Sequence, residues 1–289
     1  MKMILTIAGS DPSGGAGIQA DLKTITTLGC YGAAAITALT CQNSLGVSHC
    51  HALPPQLVVD QVLAVLEDMP PSHIKIGMTA SREIIAALAE ILKNFSGEII
   101  LDPVLRSSTG QTLLQDDSVT ALAPLLARVT ALTPNILELS TLSQRAVSTE
   151  EEARQAGRIL MQRHPNIRAL CITGGHLNEE GDAIVDLLLE KKSTAPAIVE
   201  SVARHPRRQT TNSHGTGCTF ASAFAAYHSR TGSYQEAFAA AVFYVDTLLE
   251  ASRKEKIGQG QGPLLHYKWL ELEKKRTEKI PGSGGRKNQ

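Results

Sequence analysis

Hydrophobic positions fall along the chain in two alternating rhythms. Short, nearly continuous apolar runs rich in β-branched residues, beginning with Met3 to Ala8 and closed by Gly9, read as buried strands. Tyr31 to Cys41, Ile74 to Met78, Glu98 to Asp102, Ala131 to Pro134 and Arg168 to Thr173 predict further strands. Between them, Gln56 to Asp68, Ser81 to Asn94 and Thr149 to Arg163 repeat apolar residues at helical spacing. The last opens Ser148-Thr149-Glu150-Glu151-Glu152, a capped start with acidic residues at the positive end of the helix dipole. Strand and helix alternate, which implies βαβ units with right-handed crossovers, a mostly parallel sheet and helices on both faces. Ala183 to Leu189 and Ala197 to Ala203 have no helix between them, so they predict an antiparallel pair at an edge of that sheet. Two Ala-rich helices follow, from about Cys218 to Ser229 and Tyr234 to Glu250. From Glu271 the chain is densely charged and ends in Pro, Gly and Ser, which predicts a loose tail over 271–289 after a single domain over 1–270.

Composition narrows the partners. With 43% hydrophobic and 19% charged residues, 289 residues are enough to bury a substantial core. Twenty-eight basic residues balance twenty-eight acidic ones, so no global field draws the chain to nucleic acid or an anionic membrane, and small molecules are the expected ligands. Five scattered cysteines with no C-x-x-C pair argue against a disulfide framework and a structural zinc site, and predict a cytoplasmic protein. No apolar run nears the roughly 20 residues of a membrane span, and Ser10-Asp11-Pro12 cuts the first one short for a secretory signal.

Chemistry concentrates at predicted strand ends. Asn212-Ser213-His214-Gly215-Thr216-Gly217-Cys218-Thr219 runs directly into a helix, so two glycines permit a tight turn and the first N–H groups of the helix converge into an anion hole. Cys218 falls in the first turn, where the dipole lowers a thiol's pKa; a near-neutral value would suit a base. The alternative, a small packing residue, is the commoner fate of a free cysteine. Gly9-Ser-Asp-Pro-Ser-Gly-Gly-Ala-Gly17 joins a strand to a helix, where α/β folds place ligands, although it matches neither a Walker A loop nor a dinucleotide fingerprint. Asn135 and Glu138 lie one turn apart at a helix start, suited either to hydrated magnesium or to a capping box. Asp102-Pro103 and Thr173-Gly174-Gly175 also end strands and are explicable as turns. His49 and His51 share one face of a strand without a third ligand at suggestive spacing.

Together these segments resemble the hydroxymethylpyrimidine/phosphomethylpyrimidine kinase family of the ribokinase-like superfamily, enzymes that make the pyrimidine half of thiamine. The resemblance rests on Leu5 to Thr24, Ile36 to Asn43, Lys75-Ile-Gly-Met78, Asp102-Pro-Val104, Leu132-Thr-Pro-Asn135 with Glu138, Gly174-Gly-His-Leu177, His214 to Thr219 and Gly258 to Pro263. It implies a ribokinase-like α/β/α sandwich, usually a homodimer, in which ATP and a pyrimidine meet above the strand ends. By resemblance the pyrimidine is held by the loop at Gly9, by Asp21 and Gln42 through hydrogen bonds, and by Met78 and Val104 as apolar walls. ATP falls to Asn135, Glu138, Thr173 and Gly175, with Mg2+ held through water near Glu138 and Asn135; Gly215, Thr216 and Gly217 form the anion hole. Cys218 occupies the place where related sugar kinases carry an aspartate base. The implied reaction is phosphorylation of 4-amino-5-hydroxymethyl-2-methylpyrimidine and of its monophosphate; pyridoxal or pyridoxine kinase, and a catalytically silent pyrimidine-binding protein, are the alternatives.

The chain departs from the family in its cations. Relatives commonly carry lysine where this chain has Thr173, lysine in a stretch that here reads Ser107-Ser108-Thr109-Gly110, and a third lysine aligned with Val242. Arg106, Arg207 and Arg208 are the candidates to replace them, since guanidinium grips phosphate bidentately.

Overall fold

The computed structural model describes residues 1–105, 118–175, 183–192 and 197–278. In chain order the elements are β1 (Met3–Ser10), α1 (Gly17–Thr27), β2 (Tyr31–Asn43), β3 (Gly46–Ala52), α2 (Pro55–Asp68), β4 (His73–Ile76), α3 (Arg82–Ile91), β5 (Glu98–Leu101) and α4 (Ser118–Leu126). Then follow β6 (Ala131–Leu132), α5 (Ile136–Ser143), α6 (Glu150–Arg163), β7 (Ala169–Ile172), β8 (Ala183–Lys191), β9 (Ile198–Pro206), α7 (Thr216–Thr231), α8 (Tyr234–Ser252) and α9 (Tyr267–Glu278).

The strands form one sheet in the order β3-β2-β1-β4-β5-β6-β7-β8-β9. From β2 to β7 neighbours run parallel, and β3 at one edge and β8 and β9 at the other run antiparallel. The central strands are buried on both faces, so their alternate side chains feed two cores. Leu5, Ile74, Ile99, Leu132, Leu170 and Leu187 pack under α2 to α6, whereas Ile4, Ile100, Ala131, Ala169 and Leu188 pack against α1, α7 and α8. Each such Leu or Ile contributes about 1.5–3 kcal/mol by leaving water. The edge pair falls over the residues whose pattern predicts it, and α6 begins with Thr149 and Glu152 forming a reciprocal capping box.

The C-terminal expectation is corrected over 271–278, which is helical. Charge alone hides the reason: Trp269 of α9 is buried edge-on against Tyr244 of α8, ring centres 4.7 Å apart. One aromatic anchor docks an otherwise polar helix. Residues 279–289 lie outside the described residues.

Candidate active site

Because all parallel strands point their carboxyl ends the same way, the loops leaving them collect at one end of the sheet. They enclose a cleft of about 1180 Å³. Gly9, Gln42, Met78 and Val104, the turn Gly215-Thr216-Gly217-Cys218, and Asn135, Glu138, Thr173 and Gly175 all line it. Of the contact residues that the resemblance implies, Asp21 lies outside this lining, as do His49 and His51.

The glycine turn owes its shape to Gly215. Its φ of +81° is left-handed, and a Cβ there would lie 1.9 Å from the Gly15 carbonyl oxygen, so no other residue fits. Gly215 also serves as N-cap of α7 without offering a side chain, which leaves the first-turn N–H groups of that helix to the cleft.

Asp21 is corrected from a ligand-binding to a structural position. It is fully buried below the cleft, where Lys75 Nζ donates to its two oxygens at 2.9 and 3.0 Å, Thr6 Oγ1 at 2.6 Å and Ser222 Oγ at 2.7 Å. With no exposed surface and no place in the cleft lining, this carboxylate is out of a substrate's reach. Lys75 is the functional neighbour that sequence reading passed over. Its ammonium also lies 3.9 Å from Asp102 Oδ2, fixing a positive charge beside Asp102 and Cys218. Burial alone would lower its pKa, yet Asp21, Cys218 and Asp102 together hold it above the ordinary value. The available signal was a lysine inside the apolar run Ile74 to Met78, since a charge on a doubly buried strand must be paired.

The expected near-neutral thiol is likewise corrected. Cys218 sits half-buried in the cleft wall at the start of α7. Burial pushes its thiol up to about 12, with Asp21 and Asp102 adding to the rise; Lys75 and a hydrogen bond from the Gly17 backbone pull the other way and lose. Without ligand the sulfur keeps its proton.

Asp102 and Glu138 both line the cleft and both hold protons more tightly than ordinary carboxyls. Burial raises Asp102, with Asp21 adding and Lys75 opposing. Burial raises Glu138 too, with Asp102 adding to it, against the hydrogen bonds from the residue 135 and 105 backbones. Asp102 Oδ2 is buried without a hydrogen-bond partner. Two mutually repelling carboxyls, one with an orphaned oxygen, are a donor set that fits a hard divalent cation. Asn135 takes the capping role instead: its Oδ1 accepts from Glu138 N at 3.0 Å, while Glu138 Oε2 accepts from Asn135 N at 2.9 Å. His49 and His51 stack with ring centres 6.2 Å apart, and among the described residues no group of three or more His, Cys, Asp or Glu is arranged to hold a metal.

Cations lining the cleft come from the chain after β9. Arg207 lies at the Thr173 end and donates to Gly175 O at 3.0 Å. Arg208 borders the cleft but is gripped by Asp246 at 2.7 and 2.8 Å and by Glu250 at 3.0 Å. Val242 lines the same space and gives it an apolar wall. Arg106, Ser107 to Gly110, His176 and Leu177 lie outside the described residues.

A family model described as phosphomethylpyrimidine kinase matches residues 11–265. The hydroxymethylpyrimidine/phosphomethylpyrimidine kinase of Rhizobium meliloti is 40% identical over 268 residues, covering 91% of this chain and 96% of the relative. The crystal structure of phosphomethylpyrimidine kinase from Clostridium difficile superposes with a TM-score of 0.73 at 34% identity, over 86% of this chain and 99% of that one. The pyridoxal kinase of Staphylococcus aureus in complex with AMP-PCP and pyridoxal superposes with a TM-score of 0.80 at 30% identity, over 92% and 93% of the two chains.

Proposed function

The chain belongs to the phosphomethylpyrimidine kinase family, and on that premise we propose that it transfers the γ-phosphoryl of ATP to 4-amino-5-hydroxymethyl-2-methylpyrimidine and then to the monophosphate, in the cytoplasm, as a step of thiamine biosynthesis. One observation carries this reading. The heterocycle-reading side chains and the anion turn border a single cleft, so a planar alcohol and a phosphate chain can meet in it.

The roles follow from chemistry. Met78 and Val104 flank a flat ring, and the Gln42 amide reads its polar edge, since an aminopyrimidine offers donors and acceptors in one plane. Val242, Val245 and Leu249 give the cleft an apolar wall for a nucleobase. The N–H groups at the start of α7 receive the transferring phosphoryl, with Thr173, Gly175 and Arg207 alongside the nucleotide. Asp102 and Glu138 would hold magnesium, which when bound neutralises phosphate charge. Phosphoryl transfer through a loose transition state needs positioning more than proton abstraction. A protonated Cys218 is therefore suited to holding the hydroxymethyl oxygen in line; as the O–P bond forms and the bond from the γ-phosphorus to ADP breaks, the hydroxyl proton passes late to an oxygen of the transferred phosphoryl group. Arg207 and the fixed charge of Lys75 take up part of the work of the lysines absent at Thr173 and Val242.

The second reading is a pyridoxal kinase, favoured by the similarity to an enzyme seen with pyridoxal bound; both substrates are planar heteroaromatic alcohols. Measuring kcat/KM for the aminopyrimidine alcohol, pyridoxal and pyridoxine separates the two. The thiamine reading expects the aminopyrimidine to lead by about 10-fold or more, as a hydrogen-bonding pocket should discriminate. A lead for pyridoxal would replace it, and ligand binding without ATP turnover would make the protein a binder.

A further inference from the structure

The turn that opens α7 touches two other segments through one imidazole. His214 is buried, with Nε2 2.9 Å from Asp11 Oδ2 and 3.0 Å from Gln42 Nε2. Asp11 belongs to the loop between β1 and α1. Its oxygens also accept from Ser13 N at 2.8 Å, Ser13 Oγ at 2.7 Å, Gly15 N at 3.1 Å and Ala16 N at 2.8 Å. Burial alone would raise the Asp11 pKa, but the hydrogen bonds from His214, Ser13 and Ala16 outweigh it and bring it to about 2. Asp11 is thus an ionised, acceptor-only group.

A carboxylate facing Nε2 requires that nitrogen to carry hydrogen. A hydrogen-bearing nitrogen cannot also accept from the Gln42 amide N–H. The conflict disappears when the Gln42 amide is turned about, carbonyl oxygen toward His214 and NH2 toward Thr40, an exchange of two near-isosteric groups. Thr40 Oγ1 lies 3.0 Å from Ser10 O and 3.2 Å from the other Gln42 amide atom. Its single proton then serves the Ser10 carbonyl while its lone pair accepts from Gln42, and every donor meets an acceptor. The contact is also steric: a Cβ on Gly15 would lie 2.3 Å from the His214 ring. On the far flank His214 N donates to Gly262 O at 3.0 Å, and Gln261 Nε2 donates to Ser213 Oγ at 2.7 Å. Gln261 N in turn donates to Ser44 O at 2.8 Å, in the turn between β2 and β3.

We propose that His214 is a positioning residue which, with hydrogen on Nε2, sets the donor and acceptor sense of Gln42 and ties that heterocycle-reading amide to the turn that cradles the phosphoryl group. The same imidazole thereby couples ring recognition to phosphate placement, with Asp11 fixing the tautomer. The kinetic consequence rests on the kinase reading above; the tautomer does not.

Two measurements on the full chain test it. Long-range nitrogen–proton spectra of histidine-labelled protein should give a His214 Nε2 carrying hydrogen, and an Nε2 without it overturns the proposal. Among variants, His214→Phe keeps the ring shape and removes the hydrogen bond, whereas His214→Gln restores an N–H at similar reach. His214→Phe should raise KM for the aminopyrimidine alcohol by about 10-fold or more and narrow its preference over pyridoxal, with KM for ATP moving less than about 3-fold. His214→Gln should recover most of that loss. An unchanged KM in His214→Phe, or no recovery in His214→Gln, overturns the proposal. If His214→Phe does not fold, the spectrum of the unsubstituted protein still decides. If that protein phosphorylates neither alcohol, the kinase reading fails and the tautomer stands or falls by itself.

Discussion

The two ends of the sheet are built to opposite rules. At the carboxyl ends, two buried carboxyls in the cleft wall are left strained beside well-paired neighbours: Asp102 Oδ2 has no hydrogen bond, and Asp102 and Glu138 hold protons against their ordinary preference. At the amino ends the polar groups satisfy each other. His73 Nε2 meets His228 Nδ1 at 2.9 Å, Ser72 Oγ meets His73 Nδ1 at 2.9 Å, and Tyr234 donates to Glu98 at 2.8 Å, which Arg168 also grips at 2.6 Å. Helix α7 links the two, starting at the anion turn and carrying His228 near its other end. Unmet polar groups mark where a ligand is to complete the structure, and met ones mark where the fold is tied shut.

Substitutions sharpen this contrast in order of effect. Gly215→Ala should abolish turnover by about 10³-fold or more, because its Cβ would displace the loop it abuts; assay with saturating ATP checks it. Cys218→Ala should lower kcat by about 10² through lost positioning, with the melting temperature little changed, and a kcat within twofold of wild type would remove that role. Asp102→Asn should separate function from stability: the kinase activity falls while unfolding free energy at pH 8 rises by about 1–2 kcal/mol. The raised Asp102 pKa is the reason. The folded state keeps a proton that the unfolded state has released, so stability is lost as pH climbs above the unfolded value, and asparagine removes that loss.

The amino end should answer in the opposite sense. Burial and the neighbouring His228 hold His73 at about 4, below its ordinary 6.5. The unfolded chain binds a proton in that window which the folded chain refuses, so stability falls as pH drops from about 6.5 to about 4. Tyr234→Phe, which leaves Glu98 without one donor, should cost about 1–2 kcal/mol in denaturant unfolding and leave kcat within about twofold. Loss of activity in Tyr234→Phe with stability intact would break the division between the two ends.

The periodic parts of the molecule were legible before any coordinates. Strand runs and helical spacing come from burial on a regular lattice, so the parallel core, the antiparallel pair β8 and β9 and the capped start of α6 follow from pattern alone. The glycine turns were legible because glycine is required where the backbone is left-handed. What escaped depends on distance in sequence. By resemblance Asp21 is a pyrimidine contact, until Lys75, 54 residues away, is placed against it. The dipole argument for Cys218 has the right sign but omits the burial that overrides it, and α9 hides behind its charge because a single tryptophan docks it. The Asp11 to His214 contact joins residues 203 apart and leaves no local trace.

The most direct measurement is a phosphorus NMR time course of the purified full chain with ATP, magnesium and 4-amino-5-hydroxymethyl-2-methylpyrimidine. The pyrimidine monophosphate resonance should rise first and the diphosphate follow at its expense, with ADP accumulating in step and both products suppressed in Cys218→Ala. ATP that stays intact, or hydrolyses without a phosphorylated pyrimidine, would contradict the joint cleft for heterocycle and phosphoryl group.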